Sequence, residues 1–185
     1  DRVLRNRRMV LELLLARCPD SKEIQDMARE MGITKTRFVE QTGNNLCILC
    51  ANCARTCDEV VGVAAISLTR RGVERKMTTP FDEDFSEACI GCGSCAFVCP
   101  TGIIKVRDIA HATENMPAGE VTIGPERIIE NWNRNLKMQV CKESGNPYAP
   151  EFMLKRFRDT MLLSPQFFDI SPSYRECPTI DEELC

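Results

Sequence analysis

Eight cysteines fall into two runs of one spacing: Cys47, Cys50, Cys53 and Cys57, then Cys89, Cys92, Cys95 and Cys99, the second followed by Pro100. Two residues separate each of the first three cysteines of a run, and three residues precede the fourth. Gaps of two let a turning backbone point three successive sulfurs into one small volume, a gathering of soft thiolates suited to iron–sulfur chemistry. Zinc sites more often use pairs of close cysteines, frequently with histidine, and here each run supplies three close thiolates and a fourth. A disulfide scaffold is disfavoured as well, because eight of the 12 cysteines repeat one spacing and the chain exceeds the size of small disulfide domains.

The spacing resembles that of bacterial two-cluster ferredoxins, in which the fourth cysteine of each run ligates the cluster of the other run. By that resemblance Cys47, Cys50, Cys53 and Cys99 hold one [4Fe-4S] cluster, and Cys89, Cys92, Cys95 and Cys57 hold a second. Such clusters are anionic and need backbone N–H donors close by. Gly91, Gly93 and Ser94 allow the chain to curl tightly around Cys92, and Ala51, Asn52 and Ala54 are small enough to do the same around Cys50. Ile48, Leu49, Ile90, Phe97 and Val98 are expected to exclude water, giving low-potential one-electron centres. No catalytic constellation accompanies them. There is no glycine-rich nucleotide loop and no flavin motif, and His111 stands alone, expected as a surface or capping residue.

With 185 residues the chain can bury one full core with extensions. Its 24 basic and 27 acidic residues leave a net charge of -3, too balanced for nucleic acid or anionic lipid as a partner. No apolar run reaches the length of a membrane span. The opening residues carry Arg2, Arg5, Arg7 and Arg8 instead of an apolar signal-like segment, so reduced thiols in the cytoplasm are expected. Asp82, Glu83, Asp84 and Glu87 form an acidic stretch before the second run. Both charged stretches are read as solvated faces, with docking of redox partners as the sharper alternative.

The loops must be held by elements that the hydrophobic pattern outlines. Val3, Leu4, Val10, Leu11, Leu14 and Leu15 recur at near-helical spacing up to Cys18 and Pro19. Asp20 and Glu23 stand in a capping-box-like arrangement before a second helix whose inner face is Ile24, Met27, Ala28 and Met31, ending at Gly32. Each cysteine loop leads into a short helix, over Cys53 to Val61 and over Ala96 to Cys99. Strands are then expected over Ile66 to Leu68 and Val73 to Met77 in one copy, and through Ile103, Ile104 and Val106 in the other. Two copies of loop, helix and strand predict an α+β, two-cluster ferredoxin-like core with pseudo-two-fold symmetry. It would span residues 46–108, preceded by short helices over 1–45 and followed by an extended, partly helical arm over 109–185. In that arm helices are expected from Pro125, with Ile128, Ile129, Trp132 and Leu136 inward, and from Pro150, with Phe152, Leu154, Phe157, Met161 and Leu162. So many large apolar side chains argue for an arm that packs on the core or, preferentially, on a partner subunit.

From Arg7 to Arg107 the chain reads LELLLARCP, IQDMAREMGI, CILCANCARTCDEVVGVAAI and CIGCGSCAFVCPTGII in order. This resembles the iron–sulfur region of the large redox subunits of NADH dehydrogenases, iron-only hydrogenases and NAD-linked formate dehydrogenases. Asp58 after Cys57, in place of proline, is also a habit of that family's first run. Three departures stand out. The family's [2Fe-2S] domain does not precede this stretch, Cys18 stands where a ligating histidine belongs while three accompanying cysteines are absent, and the arm replaces the catalytic module. The resemblance implies an electron-transfer subunit working with a larger catalytic oxidoreductase subunit and an electron donor or acceptor protein. Among stand-alone versions it is most similar to the electron-transfer subunits that partner the tungsten-pterin subunit of ATP-independent benzoyl-CoA reductases. A regulatory or assembly protein that uses its clusters as a redox sensor is the competing class.

Cys18, Cys141, Cys177 and Cys185 are the cysteines outside the two runs, and four is the number that a third cluster requires. The alternative is four separate buried or reactive thiols. Iron quantitation of anaerobically purified protein separates them, since two cubanes predict about eight irons per chain and a third raises this to about twelve.

Overall fold

The computed structural model describes residues 1–42, 46–82, 86–109 and 124–175. The chain forms two compact units that share its length in alternation. The first comprises Asp1–Gly62, Ile66–Thr78 and Ser94–Ile104, and the second Val63–Ala65, Thr79–Gly93 and Lys105–Cys185.

In the first unit, α1 (Arg2–Arg17) starts where the Asp1 carboxylate accepts the Val3 N–H at 2.9 Å, and Cys18 closes it. Only Leu11 and Ala16 of α1 are buried; Val3, Leu4 and Val10, expected on the inner face, are about half exposed. The second helix, α2 (Lys22–Glu30), begins one residue later than the Asp20 capping pattern predicts. Ser21 is its N-cap, but its hydroxyl donates to the Glu23 carboxylate and accepts no backbone N–H of the first turn. Its end is a Schellman turn: Gly32 takes φ +68°, the Gly32 N–H reaches the Arg29 carbonyl, and the Ile33 N–H reaches Ala28 at 2.8 Å. Leu11, Cys18, Ile24, Ala28 and Ile33 form the core between the two helices, with Met31 packed on it. Met27, expected inward, is exposed.

The Arg17 guanidinium ties this helical pair to the hairpin that follows the first cysteine loop, donating to the Val73 and Arg75 carbonyls at 3.0 and 2.7 Å. That loop leads into α3 (Asn52–Arg55), which continues as a π turn over Thr56–Val60 and stops at Gly62. The hairpin is short, with β1 (Ser67–Thr69) antiparallel to β2 (Lys76–Thr78). A further four-residue helix, α4 (Ser94–Phe97), packs against α3 and the π turn.

The second unit is built on an antiparallel meander of β3 (Val106–Ile109), β4 (Glu126–Ile129), β5 (Arg134–Val140) and β6 (Pro147–Pro150). Here the expected helix from Pro125 is corrected to two strands. Ile128, Ile129, Trp132 and Leu136 fit a helical face, but they also fit strand, turn and strand. Asn133 takes a left-handed conformation at the turn, and beyond it Leu136 and Met138 are buried with exposed Lys137 between them. β-Branched isoleucines and an asparagine that tolerates positive φ settle the choice. The second expected arm helix is present as α5 (Glu151–Thr160), with Leu154 buried and Phe157 packed on the core of Ala149, Leu154 and Phe168. Met161 and Leu162, expected inward, are exposed beyond its end. Phe167 and Phe168 stack edge to face at 5.4 Å.

The strand expected at Ile103 starts at Val106, and it pairs with β4 of the arm. A strand follows the loop and helix of each copy, β1 in a two-stranded sheet and β3 in a four-stranded one, so the two copies differ in how their strands pair. Among its described residues, the arm expected as extended and partly helical contributes three strands, β4 to β6, and the helix α5.

Gly91 lies in the second cysteine loop at φ +73°, where a Cβ would fall 2.3 Å from Leu136 Cδ1 and 3.2 Å from Pro150 Cγ. Gly93, at φ +79°, has only Val106 at an ordinary 4.0 Å. Both alanine variants strain the backbone, but only Gly91→Ala also overpacks. Urea unfolding should show Gly91→Ala less stable than Gly93→Ala, by about 1–3 kcal/mol for the overpacking; equal midpoints would refute this packing.

Candidate metal centre

Around the middle cysteine of each run the backbone turns in the same way. Leu49 and Ala51 flank Cys50 at φ 56° and 64°, and Gly91 and Gly93 flank Cys92 at 73° and 79°. In both runs a short helix starts on the residue before the third cysteine, at Asn52 and at Ser94. Glycine takes this conformation without cost, whereas Leu49 and Ala51 do so at roughly 1–2 kcal/mol each. Strain of this kind persists where the surrounding structure requires it, often at a site of function.

The third cysteines, Cys53 and Cys95, are buried, as is Cys89; Cys47, Cys57, Cys92 and Cys99 are half-buried and Cys50 is exposed. Within the first unit the thiols crowd one another. Burial pushes Cys53 up to about 11; the Ala54 N–H opposes this, while Cys47, Cys50 and Cys95 nearby add to it. Such a set cannot ionise together in the absence of compensating positive charge, which iron would supply. At Cys99 burial also raises the thiol, but the Thr101 hydroxyl and the N–H groups of Ile104, Thr101 and Ile103 outweigh it and hold it below its ordinary value. Cys99 thus sits in a nest of donors suited to a thiolate ligand. Cys57 lies in the π turn, closed by the Val61 N–H on the Thr56 carbonyl at 3.0 Å, a distortion often found at functional sites. Among the described residues no three His, Cys, Asp or Glu side chains close around one point as a single ion requires. A cubane makes no such demand, because each thiolate binds a separate iron. Crowded thiols fit [4Fe-4S] clusters as ligands, and the N–H nests and tightly curled loops fit them as the donors around those ligands.

Water exclusion is uneven. Ile90 is buried and Ile48, Leu49 and Val98 are half-buried, but Phe97 is 92% exposed and shields nothing.

Of the four other cysteines, Cys18 belongs to the first unit and Cys141 to the second. Cys18 is fully buried in the core of α1 and α2, where its thiol donates to the Leu14 carbonyl at 3.0 Å. Burial, and then neighbouring Cys47, push it up to about 11. Cys141 is buried too, yet Ser144 and Ser171 outweigh the effect of burial and bring it down to about 6, the Ser171 N–H donating to its sulfur at 3.2 Å. Cys177, Cys185, His111, Glu83 and Asp84 lie outside the described residues.

Two arginines that sequence patterns did not single out reach the second loop from the meander. Arg127 of β4 donates Nη1 to the Gly91 carbonyl at 3.1 Å, while its Nε and Nη2 form a two-pronged pair with Asp108 of β3 at 2.6 and 2.8 Å. Arg134 of β5 donates Nε to the Cys89 carbonyl at 3.2 Å and lies over the Phe152 ring. Neither stands near a cysteine in sequence, and a helix over this stretch would have left Arg127 on its outer face.

Residues 46–103 match the 4Fe-4S dicluster domain family. The chain is 30% identical over 123 residues to a G-type NADH-quinone oxidoreductase subunit of Rhizobium meliloti, covering 53% of this chain and 14% of that protein. It is 28% identical over 127 residues to the HndD subunit of the NADP-reducing hydrogenase of Solidesulfovibrio fructosivorans, covering 56% and 22%. An uncharacterised ferredoxin of Methanocaldococcus jannaschii is 34% identical over 80 residues, 43% of each chain. A chain of an NAD+-reducing [NiFe]-hydrogenase in the H2-reduced state aligns with a TM-score of 0.43 and 22% identity, covering 55% of this chain and 54% of that one. The chain thus spans less than half the length of the curated relatives it matches. Matched cysteine loops and relatives together identify residues 46–103 as a 4Fe-4S dicluster segment, an iron–sulfur electron-transfer domain similar to parts of NADH dehydrogenase and hydrogenase subunits.

Proposed function

We propose that this chain relays single low-potential electrons between a donor protein and the catalytic subunit of a larger oxidoreductase complex. The observation that carries this is the repeated conformation of two complete four-cysteine runs, with left-handed residues on both sides of Cys50 and of Cys92. Two clusters are assigned. Cys47, Cys50, Cys53 and Cys99 hold the first, and Cys89, Cys92, Cys95 and Cys57 the second, so that the fourth cysteine of each run serves the other. When bound, a [4Fe-4S] cluster supplies reversible one-electron transfer. The protein's own part is to present thiolates, curl N–H donors toward them and limit access of water. Of the remaining cysteines, Cys18 is committed to an apolar core as a protonated donor, which favours two clusters over three.

At the finer level, the resemblance of stand-alone versions supports a partnership with a tungsten-pterin subunit in benzoyl-CoA reduction, in the cytoplasm. Among the described residues no helix is long and apolar enough to cross a membrane. A redox-sensing role is the second reading, favoured by one observation, the exposure of Cys50, since a solvent-reached ligand makes a cluster labile.

Anaerobic protein should undergo repeated one-electron reduction and reoxidation without losing iron. Rapid iron loss in air coupled to altered partner binding would instead support the sensor. In a Cys99→Ala variant the crossed assignment predicts damage to the cluster nucleated by Cys47, Cys50 and Cys53, read by electron paramagnetic resonance; damage confined to the cluster of Cys89, Cys92 and Cys95 would overturn it.

A further inference from the structure

We infer that Arg127 and Arg134 are positioning residues that raise the reduction potential of the cluster held by Cys89 and Cys92, making that centre the preferred resting place of an incoming electron. The inference rests on the electron-transfer function proposed above and adds a direction to it.

Both arginines bind the loop by its carbonyls. In a trans peptide the C=O and the following N–H point to opposite sides, and among the described residues no peptide bond is cis. With the Gly91 carbonyl held by Arg127 and the Cys89 carbonyl held by Arg134, the N–H groups of Cys92 and Ile90 are turned away from the guanidinium groups. The two clamps thereby fix the orientation of two peptide dipoles in the loop that carries the sulfurs. Donors fixed before the electron arrives need no reorganisation to stabilise the added negative charge.

Charge acts in the same sense. The Arg127 side chain is only 17% exposed, so water screens it weakly. Asp108 occupies its Nε and Nη2, leaving Nη1 to face the loop, so the ion pair presents its positive end to the Cys92 side. A cation beside an anionic centre favours the form with one more electron, which is the reduced form. Gly91 completes the arrangement: without a Cβ, the loop can lie against Leu136 and Pro150, within reach of both arginines.

The test uses the full iron-loaded chain, reduced with dithionite in an anaerobic potentiometric titration followed by electron paramagnetic resonance. Wild-type protein should show two one-electron centres, with Cys92→Ser perturbing the signal of the one concerned. In Arg127→Gln that centre should lose roughly tenfold in its ratio of reduced to oxidised form at fixed ambient potential, a downward shift of about 59 mV for one electron. The other midpoint should stay in place. Arg134→Gln should move the same centre in the same direction, and Arg127→Lys, which keeps the charge but not the fork, should fall between wild type and Arg127→Gln. If Arg127→Gln loses iron, the other two variants decide. Unmoved midpoints at full iron content, or equal movement of both centres, overturn the inference and leave electron transfer standing. Wild-type protein without two reducible centres overturns both.

Discussion

Negative charge concentrated in a small volume is the constraint on which this structure depends. Thiols held close together hinder each other's ionisation: burial first, and then Cys47, Cys50 and Cys95, displace Cys53 upward. Iron compensates part of that charge, and the backbone must compensate the rest with N–H groups held close to sulfur. Each cysteine loop is therefore curled beyond what side chains ordinarily permit, and the left-handed conformations at Leu49 and Ala51 are the energetic trace of that demand.

The two loops meet the demand with different means. Glycines at both flanking positions let the second loop curl without strain, and its buried Gly91 is covered by Leu136. In the first loop the strain is borne by a leucine and an alanine, in the unit stabilised by the α1–α2 core, where Cys18 is an apolar packing residue with its thiol on the Leu14 carbonyl. Equivalent ligand geometry thus comes with unequal surroundings. Under the proposed assignment, two clusters of one chemical type would acquire different potentials in this way, because hydrogen bonds and solvent access set them.

The meander of the second unit changes the meaning of the residues after Asp108. Large apolar residues there argue, from sequence, for a partner to bury them. Much of that burial is internal: Ile129, Trp132, Leu136 and Met138 are covered, and Leu154 and Phe168 share a core with Ala149. Phe97, expected to guard a cluster, instead faces outward at the end of α4.

The ligand loops, their short helices and the helices α1, α2 and α5 were legible in the sequence because each is a local matter. Cysteines two and three residues apart, a Gly32 stop and the apolar period of α5 act within a few residues of themselves. Patterns alone misplaced β4 and β5, since isoleucines, a tryptophan and a leucine at those intervals satisfy a helix and a hairpin equally, and pairing with β3 decided between them. The braces on the second loop were not legible at all. Arg127 meets Gly91 from 36 residues away and Arg134 meets Cys89 from 45. No spacing rule reaches that far, because only closure of the meander brings those guanidinium groups and carbonyls together. The sequence by itself determined which chemistry the chain could hold; the tertiary structure decided which charges stand beside it.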